Sequence, residues 1–323
     1  MYYRNMNESR VSGTQGKKLR QSHDEALEFR RPEIVGILNC TPDSFYAPSR
    51  QFNAADAMKT AIAMIRKGAD IIDVGGESTR PGSSAVDEQQ QLDRVIPVIK
   101  DIRSVSDIPI SIDTRSARVA EAALDAGADI INDISAFSAD PNMARLAAER
   151  QVQVVIMHMR GTPAHMQDNP YYQNPVNEIR EYLLEAAEAA IKFGVRKENI
   201  ILDPGIGFGK RFDDNMILLS CLREWRIEGF SVLVGLSRKS FLGKIIDDDD
   251  RLAVNHYERH VSQPRYASVA GLKSAPSQPE DRLIATVAAH AWCLLQGVDF
   301  LRAHDIRELR QLIAVWEALS WTS

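Results

Sequence analysis

The sequence predicts an α/β fold, a single TIM (β/α)8 barrel with an extended polar N-terminal tail and a long insertion between the seventh strand and the helix before the eighth. Three observations predict it. Eight short, β-rich apolar runs recur from Glu33 onward, with helix-like patterns between them. The runs are continuous rather than alternating, which suits parallel strands buried on both faces. A short unit also repeats: Gly68-Ala69-Asp70-Ile71-Ile72-Asp73 returns as Gly127-Ala128-Asp129-Ile130-Ile131-Asn132, and loosely as Gly297-Val298-Asp299-Phe300-Leu301-Arg302. Glycine suits a helix C-terminus in each copy, a strand follows, and a polar side chain ends it.

The elements follow in order. Strands are expected at Ile34–Leu38, Asp70–Val74, Ile108–Ile112, Asp129–Ile131, Val152–Met157, Ile200–Leu202, Val232–Val234 and Asp299–Leu301. Helical patterns include Ala54–Lys67, Glu88–Arg103, Ala117–Ala126, Asn177–Phe193, Asn215–Trp225 and Asp281–Leu295. Eight βα units fit a TIM barrel occupying 31–323. A doubly wound open sheet is the competing fold, but no G-x-G-x-x-G turn follows the first strand. Residues 1–30 are too polar to bury a core, and their basic cluster Gly16–Arg20 is expected to be a solvated tail. The insertion, about 246–280, opens with four aspartates, Asp247–Asp250, and is rich in polar residues. It has no calcium-loop spacing, so a solvated face is expected.

Composition excludes several classes. Lys+Arg is 39 against Asp+Glu 44, a net charge of −5, which argues against a nucleic-acid partner. No apolar run approaches about 18 residues, so no membrane span is expected. The first 30 residues hold no apolar h-region, so no signal peptide is expected. Cys40, Cys221 and Cys293 lack metal-type spacing and suit free thiols in the cytoplasm.

A barrel gathers the loops after its strands into one mouth. Those positions carry Asn39, Thr41 and Asp43; Glu77, Thr79 and Arg80; Asp113 and Arg115; Asn132 and Asp133; His158; Asp203; Ser237–Ser240; and Arg302 and His304. Asn39, Asp113, Asn132 and Asp203 follow directly on apolar runs. Burial there demands partners, and a ligand can supply them. Asp113, Asn132 and Asp203 suit a planar heterocycle with N–H donors. Arg80, Arg302 and His304 suit phosphate, and the Asn39 amide oxygen suits Mg²⁺. Together they suggest a phosphorylated heterocyclic substrate.

Gly36–Phe45 (GILNCTPDSF) and Asp73–Gly82 (DVGGESTRPG) resemble the two signatures of dihydropteroate synthases. Ser111–Thr114, Ile131–Ile134, Met157–Met159, Leu202–Lys210, Gly235–Ser240 and Arg302–Asp305 follow in family order, so the resemblance spans about 33–318. It implies a cytoplasmic, homodimeric pterin-binding TIM barrel, the target of sulfonamides. Such an enzyme joins 6-hydroxymethyl-7,8-dihydropterin diphosphate to p-aminobenzoate, releasing diphosphate and 7,8-dihydropteroate for folate synthesis. By that resemblance Asp113, Asn132, Asp203 and Lys239 would hold the pterin, with Met157 packed on it. Asn39, Arg80, Arg302 and His304 would hold the diphosphate, with Mg²⁺ on Asn39. Thr79, Pro81, Phe208, Lys239 and Ser240 would line the aminobenzoate site. Lys239, Asp113, Asp203 and Arg302 would carry the catalysis.

One departure stands out. The family's first loop continues Ser-Phe-Ser-Asp-Gly-Gly, whereas this chain has Ser44-Phe45-Tyr46-Ala47-Pro48. Ala47 replaces an aspartate thought to help the transition state. A pterin-binding paralogue without the activity, or with another second substrate, is therefore the alternative. A pterin methyltransfer module is a further one, but it should lack the Ser-Thr-Arg-Pro-Gly and Ser-Arg-Lys-Ser motifs found here. His158 and Cys40 are expected to be structural. Arg238 is expected to pair with a carboxylate behind the site. Trp225, Trp292, Trp316, Met58 and Met64 are expected in the core or at an interface.

Overall fold

In the computed structural model the described residues are 31–41, 54–79, 82–83, 85–225, 227, 229–248 and 276–320. The tail 1–30, the first loop with Ala47, Arg80, Pro81, and residues 249–275 of the insertion lie outside them. Eight parallel strands close into a barrel in chain order: β1 (Glu33–Asn39), β2 (Ile71–Gly75), β3 (Ile110–Asp113), β4 (Ile130–Asp133), β5 (Gln153–Met157), β6 (Ile200–Asp203), β7 (Ser231–Gly235) and β8 (Phe300–Ala303). Val35 pairs with Ile71 on one side and Arg302 on the other, closing the ring. The helices are α1 (Ala54–Lys67), α2 (Glu88–Val105), α3 (Ala117–Asp125), α4 (Asn142–Arg150), α5 (Pro175–Phe193), α6 (Phe212–Ser220), α7 (Leu283–Gln296) and α8 (Ile306–Ser320), with a further helical stretch at 240–248.

The strands are apolar throughout because each has two buried faces. Outward side chains such as Ile34, Ile72, Ile112, Ile131, Ile156 and Leu202 join the helices in one large core. Inward side chains form a second, separate cluster: Val35, Ile71, Ile130, Val155, Ile201, Leu233 and Phe300. Because the strand period is two, the next inward residues along the chain are Ile37, Asp73, Asn132, Met157, Asp203, Gly235 and Arg302. An apolar plug thus lies directly beneath a polar layer.

The repeated unit has a physical basis. Gly68, Gly127 and Gly297 all take positive φ, at 96°, 112° and 74°, where a side chain would strain the helix exit. The following aspartates bond to the neighbouring strand. Ile34 N–H donates to Asp70 Oδ2, Ile110 N–H to Asp129 Oδ2 and Val232 N–H to Asp299 Oδ2, each at 2.9 Å. Each copy stitches one strand start to the next. Other helices are capped as their sequences suggest. Asp87 accepts from Gln90 N–H at the start of α2, and Asn174 accepts from Asn177 N–H at the start of α5, with Pro175 in its first turn.

The expected barrel forms, with two kinds of correction. Most strands run one or two residues further toward the mouth than their apolar runs, so Asn39, Asp113 and Asp203 end strands rather than follow them, and Asn132 lies inside β4. The pattern expected at Asn215–Trp225 divides into α6 and a 3-10 turn, Leu222–Trp225. The Asp214 carboxylate accepts from Arg211 N–H at 2.9 Å and starts α6 earlier. Asp281–Leu295 likewise begins as a 3-10 turn, Pro279–Arg282, before α7.

Candidate active site

The polar layer centres on Arg302. Its Nε donates to Asp73 Oδ2 at 2.6 Å and its Nη2 to Asp113 Oδ2 at 2.7 Å. Asn132 Nδ2 also donates to Asp73 Oδ2, at 3.2 Å. β2, β3, β4 and β8 therefore meet through four side chains in the barrel interior. Burial pushes the Asp113 carboxyl up to about 7, against the pull of Arg302. Burial likewise raises Asp203. Burial works against the Arg302 charge, but Asp73 and Asp113 outweigh it and hold the guanidinium protonated.

The residues expected to accept from a heterocycle share this layer. Asn132 commits its amide N–H to Asp73, which leaves its oxygen as acceptor. Asp203 Oδ1 accepts from Gly205 N–H at 2.7 Å, which leaves Oδ2. Met157, 2% exposed, is the apolar member of the layer. Arg302, grouped from sequence with the anion-binding cations, directs its Nε and Nη2 onto the two buried carboxylates, which need that charge.

Lys239 forms the wall beside them. Its Nζ donates to Ile206 C=O and stands 4.5 Å from the Phe208 ring centroid. Its stem lies against Gly207. Burial lowers the Lys239 ammonium to about 8, partly offset by Asp203. This wall is held from behind. Gly205, Gly207 and Gly209 all have positive φ. A Cβ at Gly205 would overlap the His158 carbonyl, and one at Gly209 would come within 2.5 Å of Arg160 O. Beyond Phe208 lies a cleft of about 240 Å³ lined by Gly207, Lys210, Arg211, Ser240 and Lys244, among others.

At the neighbouring β8 exit, His304 Nδ1 and N–H both meet Ser237 Oγ, at 3.0 and 3.2 Å. Asn39 ends β1 half-buried, and Thr79 lies half-buried beyond β2. Other polar strand ends serve the scaffold. Glu77 and Arg115 pair at 2.9 Å. Asp133 accepts from Ser135 N–H, Ser135 Oγ and Phe137 N–H, bracing a turn in which Ala136 and Phe137 take positive φ. Arg238 pairs with Asp305, as expected. Cys40 is fully buried, and burial pushes its thiol up to about 12, consistent with packing. His158 is buried with its Nδ1 3.0 Å from Lys210 Nζ, and burial pushes its imidazole down to about 2, so it stays neutral. Trp225 and Met64 are buried, Met58 and Trp316 pack against the core, and Trp292 is 43% exposed.

Two residues escaped the sequence reading of the site. Asp73 opens the second motif, yet it is 1% exposed and holds both Arg302 and Asn132, while its Oδ1 has no partner among the described residues. A charged residue inside the run Ile-Ile-Asp-Val-Gly was the available signal. Lys210 is the other. Its Nζ is surrounded by His158 Nδ1, His158 O and Phe208 O at 3.0–3.2 Å, and burial lowers its pKa well below the usual lysine range.

Comparison with known proteins agrees with this fold. The model of the pterin binding enzyme family matches residues 35–304. The dihydropteroate synthase of Synechocystis is 40% identical over 291 residues, covering 90% of this chain and 91% of the relative. The crystal structure of Yersinia pestis dihydropteroate synthase with a sulfonamide drug superposes with a TM-score of 0.77 at 35% identity, covering 91% of this chain and 96% of that one. The Xanthomonas albilineans enzyme in complex with 7,8-dihydropteroate gives 0.74 at 32%, covering 91% and 95%. With the fold, the motif order and these relatives in agreement, the chain belongs to the pterin binding enzyme family.

Proposed function

We infer that this chain is a dihydropteroate synthase, a transferase of folate synthesis. It joins 6-hydroxymethyl-7,8-dihydropterin diphosphate to p-aminobenzoate and releases diphosphate and 7,8-dihydropteroate. The observation that carries the reading is the buried acceptor set Asp113, Asn132 and Asp203 around Arg302, opening onto the Lys239–Phe208 wall. The acceptors face the N–H edge of the pterin, and Met157 packs on the ring. As the bond from the exocyclic methylene to the diphosphate oxygen breaks, positive charge spreads into the ring, where Asp113 and Asp203 stabilise it. The aminobenzoate nitrogen attacks the methylene and loses a proton. Its ring lies along Phe208 and Lys239, and its carboxylate points toward Ser240 and Lys244 at the cleft. Placement matters more here than a strong base, because the amine needs no prior deprotonation.

Asn39, Arg80, Arg302 and His304 would hold the leaving diphosphate, and Thr79 and Pro81 would line the aminobenzoate site; Arg80 and Pro81 lie outside the described residues. Mg²⁺ fits Asn39: the amide makes no hydrogen bond among the described residues, and this ion takes few protein ligands beside phosphate oxygens and water. When bound there it would neutralise charge developing on the diphosphate.

We also propose a cytoplasmic homodimer. Among the described residues no helix is long and apolar enough to cross a membrane, and the three cysteines are free. Ile284, Trp292 and Leu295 on α7 and Val315 and Leu319 on α8 stay exposed, between 43% and 83%, and offer an apolar face to a second copy. Ile284→Glu should shift the mass measured by light scattering to that of a monomer; an unchanged mass would remove this face from the interface.

The test of function quantifies diphosphate and dihydropteroate separately, with purified protein, Mg²⁺ and the pterin diphosphate, with and without p-aminobenzoate. Dihydropteroate formed in step with diphosphate establishes the synthase and shows that Ala47 is tolerated. Retained pterin with neither product would support the non-catalytic paralogue.

A further inference from the structure

The turn that leaves β7 is built against its own backbone preference. Lys239 N–H donates to Leu236 C=O at 3.3 Å, which places Arg238 third in the turn. Arg238 has a φ of 59°. Glycine is the usual residue at such a position, and any other residue there is strained. An arginine stands there, and four of its polar groups are held, while its Nη1 lies 3.9 Å from Glu280 Oε1. Its Nη2 and Nε donate to Asp305 Oδ1 and Oδ2 at 2.7 and 3.1 Å. Its N–H donates to the buried Thr286 Oγ1 at 3.2 Å, and its C=O accepts from Arg282 Nη1 at 2.9 Å.

The two partners bracket the chemistry. Arg238 immediately precedes Lys239, and Asp305 immediately follows His304. One residue before Arg238, Ser237 Oγ meets both His304 N–H and Nδ1. The β7 and β8 exits are therefore fastened twice, by Ser237 to His304 and by Arg238 to Asp305. A bidentate fork fixes orientation as well as distance. Arg302 and His304 lie on one side of this fastening, and Lys239 lies on the other.

We propose that the Arg238–Asp305 pair is a positioning clamp that keeps Lys239 in register with His304, so that diphosphate departure and arylamine attack occur on one rigid frame. The clamp rests on the synthase reading given above. Without it the β7 exit relaxes, and Lys239 no longer holds the arylamine against the methylene when the bond to diphosphate breaks. Water then captures the methylene instead. The products are diphosphate and 6-hydroxymethyl-7,8-dihydropterin, and the proton lost by the water goes to solvent.

Glycine and alanine at 238 separate the clamp from simple folding. Arg238→Gly removes the side chain but adopts the positive φ freely, whereas Arg238→Ala removes it and keeps the strain. Both variants, with Asp305→Asn as an independent probe of the other partner, are measured as the full chain with Mg²⁺, pterin diphosphate and p-aminobenzoate. The readouts are the thermal midpoint and the ratio of diphosphate to dihydropteroate. The clamp predicts that Arg238→Gly melts above Arg238→Ala, yet both lose about 10- to 100-fold in kcat/KM for the arylamine. It further predicts that all three variants release diphosphate in excess. Wild-type rate with a one-to-one ratio in Arg238→Gly would overturn the clamp and leave the synthase reading intact. If Arg238→Ala does not fold, Arg238→Gly and Asp305→Asn decide alone. A wild-type chain that makes no dihydropteroate overturns the reading and the clamp together.

Discussion

Asp70 and Asp73 flank the same two isoleucines, one just before β2 and one within it. Asp70 lies at the strand entrance, 27% exposed, with Arg31 at 3.0 Å and the Ile34 N–H at 2.9 Å as partners. Asp73 faces the barrel interior with no side-chain exposure, bonded to Arg302 and Asn132. The pairs Asp129 and Asn132, and Asp299 and Arg302, repeat the arrangement. The entrance residues bond to backbone beside solvent. The exit residues bond to one another above an apolar plug, where charge is weakly screened and an unmet partner is costly. The same residue type thus builds the scaffold at one end of the barrel and stores electrostatic energy at the other.

The comparison can be broken or sharpened by substitution, starting where the largest effect is expected. Arg302→Ala leaves Asp73 and Asp113 buried without their cation. It should cost about 3–5 kcal/mol in denaturant unfolding and lower turnover 100- to 1,000-fold. A small loss in both would mean that the exit layer is wetter than its burial indicates. Asp73→Asn puts an amide between two donors, Arg302 and Asn132, and should cut kcat/KM for the pterin substrate about 10- to 100-fold by displacing both. An unaffected rate would reduce Asp73 to a scaffold residue.

The exit groups should also set the pH profile. As pH falls through about 7, Asp113 takes up a proton and stops accepting from the ring N–H, so kcat/KM falls. As pH rises through about 8, Lys239 loses its charge and kcat/KM falls again. Lys239→Arg should be slower yet lose the alkaline limb, because a guanidinium stays protonated. Persistence of that limb would assign it to another group. The smallest effect belongs to the entrance. Asp129→Ala leaves the Ile110 N–H and Arg103 without a carboxylate and should cost roughly 1–2 kcal/mol of stability with kcat/KM unchanged. A change in kcat/KM would show that the two ends communicate.

The barrel was legible because its signals are local. Continuous apolar runs mark strands buried twice over, and the glycines at 68, 127 and 297 mark helix exits through their backbone conformation. Asn39, Asp113 and Asp203 were legible as strand ends for the same reason. Pairing across the barrel was not legible. Arg302 meets Asp73 across 229 positions, and only closure of the ring brings its guanidinium onto the carboxylates. The strand period held more information than was drawn from it: inward positions two residues beyond Ile71 and Phe300 are Asp73 and Arg302.

The glycine loop after β6 carries a consequence for how this protein can change over generations. Gly205 and Gly209 press against the carbonyls of His158 and Arg160, where even one added carbon collides with backbone. Single substitutions there disrupt the wall before they can reshape it. A molecule that rests on the Phe208–Lys239 wall therefore meets a surface with few accessible escape routes. Altered selectivity for the second substrate must then arise elsewhere in the chain than at these two glycines.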